Sequence, residues 1–405
     1  MSSENAVVSI KKIAGLIDQE SISSAVRKAA FLALEGENIL RGKRVVIKPN
    51  IFCPMPAPVT TDPRVTAALV SYAVESGATE VIVAEGRSIS TAKFRKANTT
   101  TRECAEVLGF TSAVESAGGR MVYLEEDEFV EVPVPGGRVL KTVRIPRTIL
   151  DAEVLINNPV LKIHSLTLVT LGIKNMHGAV SDEDKLYGHS YRELPAKLTD
   201  FLRVRKIDLT VIDGIAGLEG DHADEGTPVD MGIIIAGRDV VAVDAVASAV
   251  MGLEPFEVDT TNLAHEYGLG QGSLDAIEVL GESIARVRRP FARPDVVLDA
   301  AMFPGLEIIA GDYCRSCQYY TRRGLDKLAD AGVLDPGKKI TIILGKEPRV
   351  PDRLPGKVLM LGDCCLSSDS IRRLRDHLLL EGRLEMVYAC PPMQFRIKAL
   401  DMVGD

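Results

Sequence analysis

Short runs of aliphatic and β-branched residues alternate along this chain with longer stretches in which apolar residues recur every three or four positions. The first pattern belongs to strands buried on both faces and the second to helices lying on a sheet. Residues 21–36 read as a first helix, with Ala25, Ala29 and Leu32 on one side and a glycine at its exit. Val45-Val46-Ile47 follows as a short buried strand that ends in Lys48-Pro49-Asn50. Asp62 suits an N-cap and Pro63 a first helical turn, so a second helix is predicted from there to about Ser76, stopped by Gly77. Val81-Ile82-Val83-Ala84 is the next strand, closing with Glu85-Gly86. Strand, helix and strand at this spacing make a βαβ unit and imply a parallel sheet.

The alternation continues with a helix near residues 102–108 and a strand at 121–124. An alternating, Pro-Gly-bearing stretch over 125–143 reads as an appended β-hairpin. Strands are predicted at 154–157, 209–212 and 231–236, and a small-residue helix at 241–250. The Pro/Arg-rich stretch 286–294 has the composition of a linker, and beyond it strands are predicted at 306–310, 339–344, 357–361 and 384–388. The expected fold is α/β: a large, mostly parallel, doubly wound sheet domain over 1–290 and a smaller C-terminal α/β domain over 295–405.

Composition narrows the function classes. The 405 residues are 46% apolar and 26% charged, an ordinary globular balance. A formal charge of −8 argues against a nucleic-acid partner, which would call for a basic surface. No window holds 18 uninterrupted apolar residues, so no membrane span is expected. The first twelve residues lack the apolar core of a signal peptide, so the expected location is cytoplasmic.

Five of the seven cysteines lie in the last 92 residues, as Cys314-Arg315-Ser316-Cys317, then Gly362-Asp363-Cys364-Cys365, then Cys390-Pro391-Pro392. Each group follows a predicted strand, and a parallel sheet gathers the loops at its carboxyl ends on one edge. Four thiolates hold an iron–sulfur cubane, so one [4Fe–4S] cluster is expected, with one of Cys364 and Cys365 left over. A structural zinc, buried apolar thiols and disulfides are the competing readings. The order CxxC, Gly-x-Cys, Cys-Pro-Pro resembles the proximal four-iron site of hydrogenase small subunits and related complex I subunits.

The densest polar cluster is Leu161-Lys162-Ile163-His164-Ser165, followed by Gly172-Ile173-Lys174-Asn175-Met176-His177-Gly178. Lys162 and His164 are expected in a loop at a strand's carboxyl end, where Lys48, Asn50 and Asp213 stand after their own strands. Lysines beside histidines favour an anionic substrate and supply proton donors near neutral pH. Lys162, His164, Lys174 and His177 are the candidate catalytic groups, and Lys48, Asn50, Asn175 and Asp213 the candidate substrate-binding groups. His189, His222, His265 and His377 lack such company and read as surface or core residues. Gly214 to Gly220 is glycine-rich but matches no nucleotide-binding fingerprint.

Several of these motifs together carry a resemblance. Val46-Ile47-Lys48-Pro49-Asn50, Thr60-Thr61-Asp62-Pro63, Asn158-Pro159-Val160-Leu161-Lys162-Ile163-His164, Gly172 to Gly178, Val211-Ile212-Asp213-Gly214 and Val241-Ala242-Val243-Asp244-Ala245 resemble the family called domain of unknown function 362. The match covers about Arg44 to Gly252. Members often carry iron–sulfur cysteines, commonly in an appended ferredoxin module. This chain departs from that form, since it has no tandem C-x-x-C-x-x-C-x-x-x-C-P run.

The expected function is that of a cytoplasmic iron–sulfur oxidoreductase acting on a small anionic substrate at an interdomain cleft. The alternatives are a non-redox, metal-dependent isomerase or lyase, and an electron carrier or assembly factor without a substrate of its own. The expected partners are the substrate and a ferredoxin-like electron donor, with room for a homodimer and none for nucleic acid or a membrane.

Overall fold

The computed structural model describes residues 5–88, 100–187, 193–221, 225–337, 339–351, 353–390 and 392–403. His189, His222 and Pro391 lie outside the described residues. The chain forms two compact units, one up to Pro294 and one from Asp295.

The first unit is built on strands β1 (Ala6–Lys12), β2 (Arg44–Lys48), β3 (Glu80–Glu85), β4 (Arg120–Tyr123), β5 (Phe129–Pro133), β6 (Thr142–Pro146), β7 (Val154–Asn157), β8 (Val160–His164), β9 (Leu168–Thr170), β10 (Leu209–Gly220), β11 (Gly226–Gly237) and β12 (Ile277–Gly281). Ten of them form one sheet in the order β12-β1-β11-β10-β7-β2-β3-β4, with β8 paired to β10 and β9 paired to β8. β10, β7, β2, β3 and β4 run parallel, while β11 is antiparallel to both β10 and β1. β5 and β6 form the separate antiparallel hairpin expected from the alternating stretch.

Both faces of the parallel part are covered, and the strand residues divide between them. Val45 and Ile47 pack in one layer with helices Gln19–Ala33 and Pro63–Glu75, whereas Val46 packs in the other. Val81 and Val83 against Ile82 and Ala84 repeat the division. This is why these strands read as continuous apolar runs. Asp18 and Ser21 close a capping box on the first helix, and Asp62 caps the second with Pro63 in its first turn.

Three features depart from the expected pattern. Residues 6–12, unassigned by pattern, form β1, whose centre is fully covered by β11 and β12. β10 and β11, twelve residues each, continue well past their apolar runs as a long antiparallel pair, with polar residues paired across it. Lys162 and His164 belong to β8, a strand buried along its whole length, and not to a solvent-facing loop. A lysine and a histidine at alternate positions break the apolar run that would have announced this strand.

In the second unit β13 (Leu306–Ala310), β14 (Ile340–Leu344), β15 (Lys357–Leu361) and β16 (Leu384–Val387) lie in sequence order, all parallel. Ile342 and Leu344 face one apolar layer and Ile343 the other. Helix Arg315–Asp330 passes so close to Phe395 that a Cβ on Gly324 would stand 2.4 Å from its ring. Among the described residues no helix is long and apolar enough to cross a membrane.

Candidate functional sites at two sheet edges

The carboxyl edge of the large sheet holds a buried polar network. Lys48, ending β2, places Nζ 2.7 Å from Glu85 Oε1 at the end of β3, with side-chain exposures of 1% and 3%. Burial draws the Lys48 pKa down, while Glu85 opposes the shift. Glu85 also accepts from the amides of Ile51 (3.0 Å) and Gly86 (2.8 Å), so its charge is met on several sides. Two glycines press on this pair. A Cβ on Gly178 would lie 2.5 Å from Glu85 Oε1 and 2.8 Å from Lys48 Nζ, and one on Gly86 would lie 2.4 Å from the Gly178 carbonyl oxygen.

Beside the pair, Asn175 Nδ2 donates to Asn157 Oδ1 (2.8 Å) and to the carbonyls of Lys48 and Pro49 (3.2 Å each). Its Oδ1 accepts from Asn50 Nδ2 at 3.0 Å, and Asn50 Oδ1 accepts from Lys162 Nζ at 2.7 Å. Lys162 Nζ also donates to the Val59 carbonyl at 2.7 Å and stands 4.4 Å from the Phe52 ring centre. Burial lowers the Lys162 pKa to about 7, with the Cys53 thiol partly offsetting it. Lys174 keeps part of its surface open. Burial, with Lys48 nearby, lowers its pKa to about 8, and no carboxylate works against that shift. Lys197, pushed down to about 7 chiefly by burial and then by Lys174, is tied to the carbonyls of Asp184, Lys185 and Tyr187.

Two buried aspartates hold this edge in shape. Asp213 accepts from the amides of Asp62 (2.7 Å) and Ile215 (3.0 Å), and burial raises its pKa to about 7. It thereby anchors the start of helix Pro63–Glu75. Asp244 accepts from the amides of Gly172 (2.7 Å) and Ile173 (3.0 Å) and is likewise raised to about 7 by burial. It sets the turn that carries Lys174 and Asn175. Its place inside an apolar helix, Val240–Val250, was the signal that could have singled it out as a functional position. Charged residues are almost never fully buried without a partner.

The structure thus brings Lys48, Asn50, Lys162, Lys174, Asn175 and Asp213 to one edge, but in different states. The polar side-chain groups of Lys48, Asn50, Lys162, Asn175 and Asp213 are engaged inside the protein, so these residues shape and charge the edge from below. His164, 9% exposed, accepts at Nδ1 from the amides of Leu166 and Thr167, which places the proton of the neutral ring on Nε2. His177 lies partly exposed on the turn Met176–Ala179.

The second edge belongs to the small sheet. Cys314 is the N-cap of helix Arg315–Asp330, partly exposed, and Cys317 is the buried third residue of that helix. Cys317 shares thiol hydrogen bonds with Cys314 and Cys364, which hold it protonated and raise its pKa; the bond from Cys317 lowers that of Cys364. Gly362, which opens this loop, takes φ +93°, a backbone conformation that residues with a Cβ rarely adopt. Cys365 turns the other way, into the opposite apolar layer, where its Sγ contacts the Ile343 carbonyl at 3.5 Å and burial pushes its pKa up to about 12. Of the adjacent pair, Cys364 is the one set beside Cys314 and Cys317. Cys390 follows β16 by three residues and is partly exposed. Cys53 and Cys104 sit in apolar clusters of the large unit.

Among the described residues no group of three or more His, Cys, Asp or Glu surrounds a point that could hold a metal ion. A cubane differs from a single ion in taking one thiolate per iron, so its ligands need not converge on one point. Four thiols from three loops of one edge match that group in kind and number.

The family described as Domain of unknown function (DUF362) matches residues 45–249. This span contains most of the lysine edge and none of the five C-terminal cysteines. The thylakoid-associated protein sll1697 of Synechocystis sp. is 27% identical over 241 residues, 58% of this chain and 71% of that protein. The lactate racemase apoprotein from Thermoanaerobacterium thermosaccharolyticum aligns with all of this chain and 91% of its own, at 12% identity and a TM-score of 0.37, a likeness too slight to carry an argument.

Proposed function

The chain belongs to the DUF362 family, and from that premise we propose that it is an iron–sulfur oxidoreductase whose family domain binds a small anionic substrate. The observation that carries the redox half is the contact of Cys317 with Cys314 and Cys364 at one sheet edge, with Cys365 turned away. Cys314, Cys317, Cys364 and Cys390 would hold the cluster, which when bound supplies one-electron transfer. The protein's own part is binding and charge. Lys174 meets the anion, while the buried Lys162 adds positive potential from below and His164 offers a proton at Nε2.

Protein purified without oxygen is expected to carry about four iron and four acid-labile sulfides per chain. Metal-free protein, or zinc without sulfide, would sink the cluster. One observation favours a second reading: a CxxC pair with a partly exposed first Cys at a helix N-cap and a buried second one also suits a redox dithiol. That outcome would be seen as iron-free protein losing two thiols reversibly to oxidised glutathione.

The anion site has its own test. Lys174 holds its charge below about 8 and loses it above, so anion affinity should be full near pH 6.5 and fall as pH rises through about 8. Sulfate, whose charge is constant over this range, titrated at constant ionic strength should show this fall in the natural protein and bind more weakly to Lys174→Met at pH 6.5. Equal affinities for the two proteins at pH 6.5 would remove Lys174 from the site.

A further inference from the structure

Five lysines lie at or beside the carboxyl edge of the large sheet, and four of them are tied down. Lys48 Nζ is held by Glu85 and the Pro49 carbonyl, and Lys162 Nζ by Asn50 and the Val59 carbonyl. Lys185 Nζ donates to the Arg87 carbonyl and pairs with Asp182, and Lys197 Nζ donates to three carbonyls. Lys174 differs. Among the described residues its Nζ makes no hydrogen bond or ion pair, and it is not one of the unpartnered polar atoms that are shut from solvent. The amine is both unanswered and reachable.

An ammonium has three protons to place and no lone pair. At Lys174 no group among the described residues accepts them, and the charged neighbours repel: Lys48 lowers its pKa, and Lys174 in turn lowers those of Lys162 and Lys197. At about 8, that pKa leaves a neutral share at pH 7 on the order of a hundred times that of a solvent-exposed lysine. The position itself is fixed. The turn Gly172–Asn175 is held by Asp244 at two amides, by Asn157 Nδ2 at the Gly172 carbonyl (2.9 Å), and by Asn175 at Asn157 Oδ1. Gly172 packs so closely that a Cβ there would lie 2.6 Å from the Val240 side chain and 2.8 Å from Asp244 Oδ1. A firmly placed, reachable amine with cations for neighbours is the setting of a nucleophilic lysine.

We propose that Lys174 is a nucleophile that forms an imine with an oxo acid, a small ketone or aldehyde carrying its own carboxylate. The inference rests on the reading of Lys174 as the group at the anion site and is independent of the cluster. The ammonium form draws the carboxylate in, and loss of its proton to water frees the lone pair. Nζ then adds to the carbonyl carbon, a proton passes from Nζ to the carbonyl oxygen, and water leaves. A C=N bond replaces the C=O bond, with no electrons gained or lost. Such a covalent intermediate divides a difficult step at the neighbouring carbon into two easier ones.

The test incubates the full-length protein at about pH 7.5 with pyruvate and sodium cyanoborohydride, which reduces an imine and fixes it in place. The intact mass should rise by one pyruvic acid less one oxygen atom. Peptide mapping should place the adduct on Lys174, formed about tenfold faster than on any other lysine. Propanoate, an anion without the carbonyl, should slow the labelling. Lys174→Arg keeps the positive charge but cannot form the imine, so it should still bind sulfate at pH 6.5 and take no adduct. Labelling spread evenly over the lysines, untouched by propanoate, or undiminished in Lys174→Arg would overturn the proposal. So would the absence of any adduct; sulfate bound through Lys174 would in that case leave the anion site standing.

Discussion

Lys48→Met is expected to cost the large unit about 3–5 kcal/mol, the largest stability loss foreseen for a single substitution here. The reason is the partner left behind. Glu85, 3% exposed at its side chain, would keep its charge with only the Ile51 and Gly86 amides to meet it, or would take up a proton at a cost of its own. Glu85→Gln in the Lys48→Met background should recover much of the loss, since an amide needs no counter-charge and can still accept from one of these amides. Chemical denaturation of the four proteins, followed by far-ultraviolet circular dichroism, gives the cycle. A loss below about 1 kcal/mol for Lys48→Met would mean that the pair is solvated in solution, as surface pairs are. Lys162→Ala belongs to the same class, because it strips Asn50 Oδ1 and the Val59 carbonyl of their donor inside the protein. Its place in β8, a strand buried along its whole length, makes the change reach stability as well as binding.

Cys317→Ser is expected to take the iron content of anaerobically prepared protein from about four per chain to near zero, and Cys364→Ser to lower it sharply. Cys365→Ser, one residue further on, should keep the iron. Its sulfur lies among Ile343, Val358 and Met360, so a hydroxyl there would destabilise the small unit by about 1–2 kcal/mol without touching the thiols. The opposite result, iron kept in Cys364→Ser and lost in Cys365→Ser, would mean that the loop after β15 rearranges around its ligand. Iron retained in Cys317→Ser would remove the cluster from this edge altogether.

The contrast between these neighbours shows where sequence pattern stops. Cys364 and Cys365 are indistinguishable by spacing; only the short helix Asp363–Leu366 and the positive φ of Gly362 decide which faces Cys317. Lys162 is a related case. A lysine following an apolar strand reads as a solvent-facing loop residue, and the pairing of β8 with β10 and β9 is what encloses it. Asp244 would have been a stronger candidate than its spacing suggested, since a carboxylate within Val240–Val250 has to find donors, and it finds the amides of Gly172 and Ile173.

The sequence by itself determined the α/β alternation, the parallel core strands at 45–47, 81–84 and 154–157, the capped helix after Asp62, and the meeting of lysines at one sheet edge. These follow from local periodicity, capping and the rule that parallel strands deliver their loops to one side. Tertiary structure alone decided which of those residues are reachable. Burial, pairing and register depend on what the rest of the chain places opposite a side chain. Lys48 is sealed against Glu85 from the neighbouring strand, and Lys162 is drawn to Asn50 across 112 positions of sequence. Lys174 remains partly open at the same edge. Its residue type and spacing are like theirs; its exposure is set by packing, which no local pattern records.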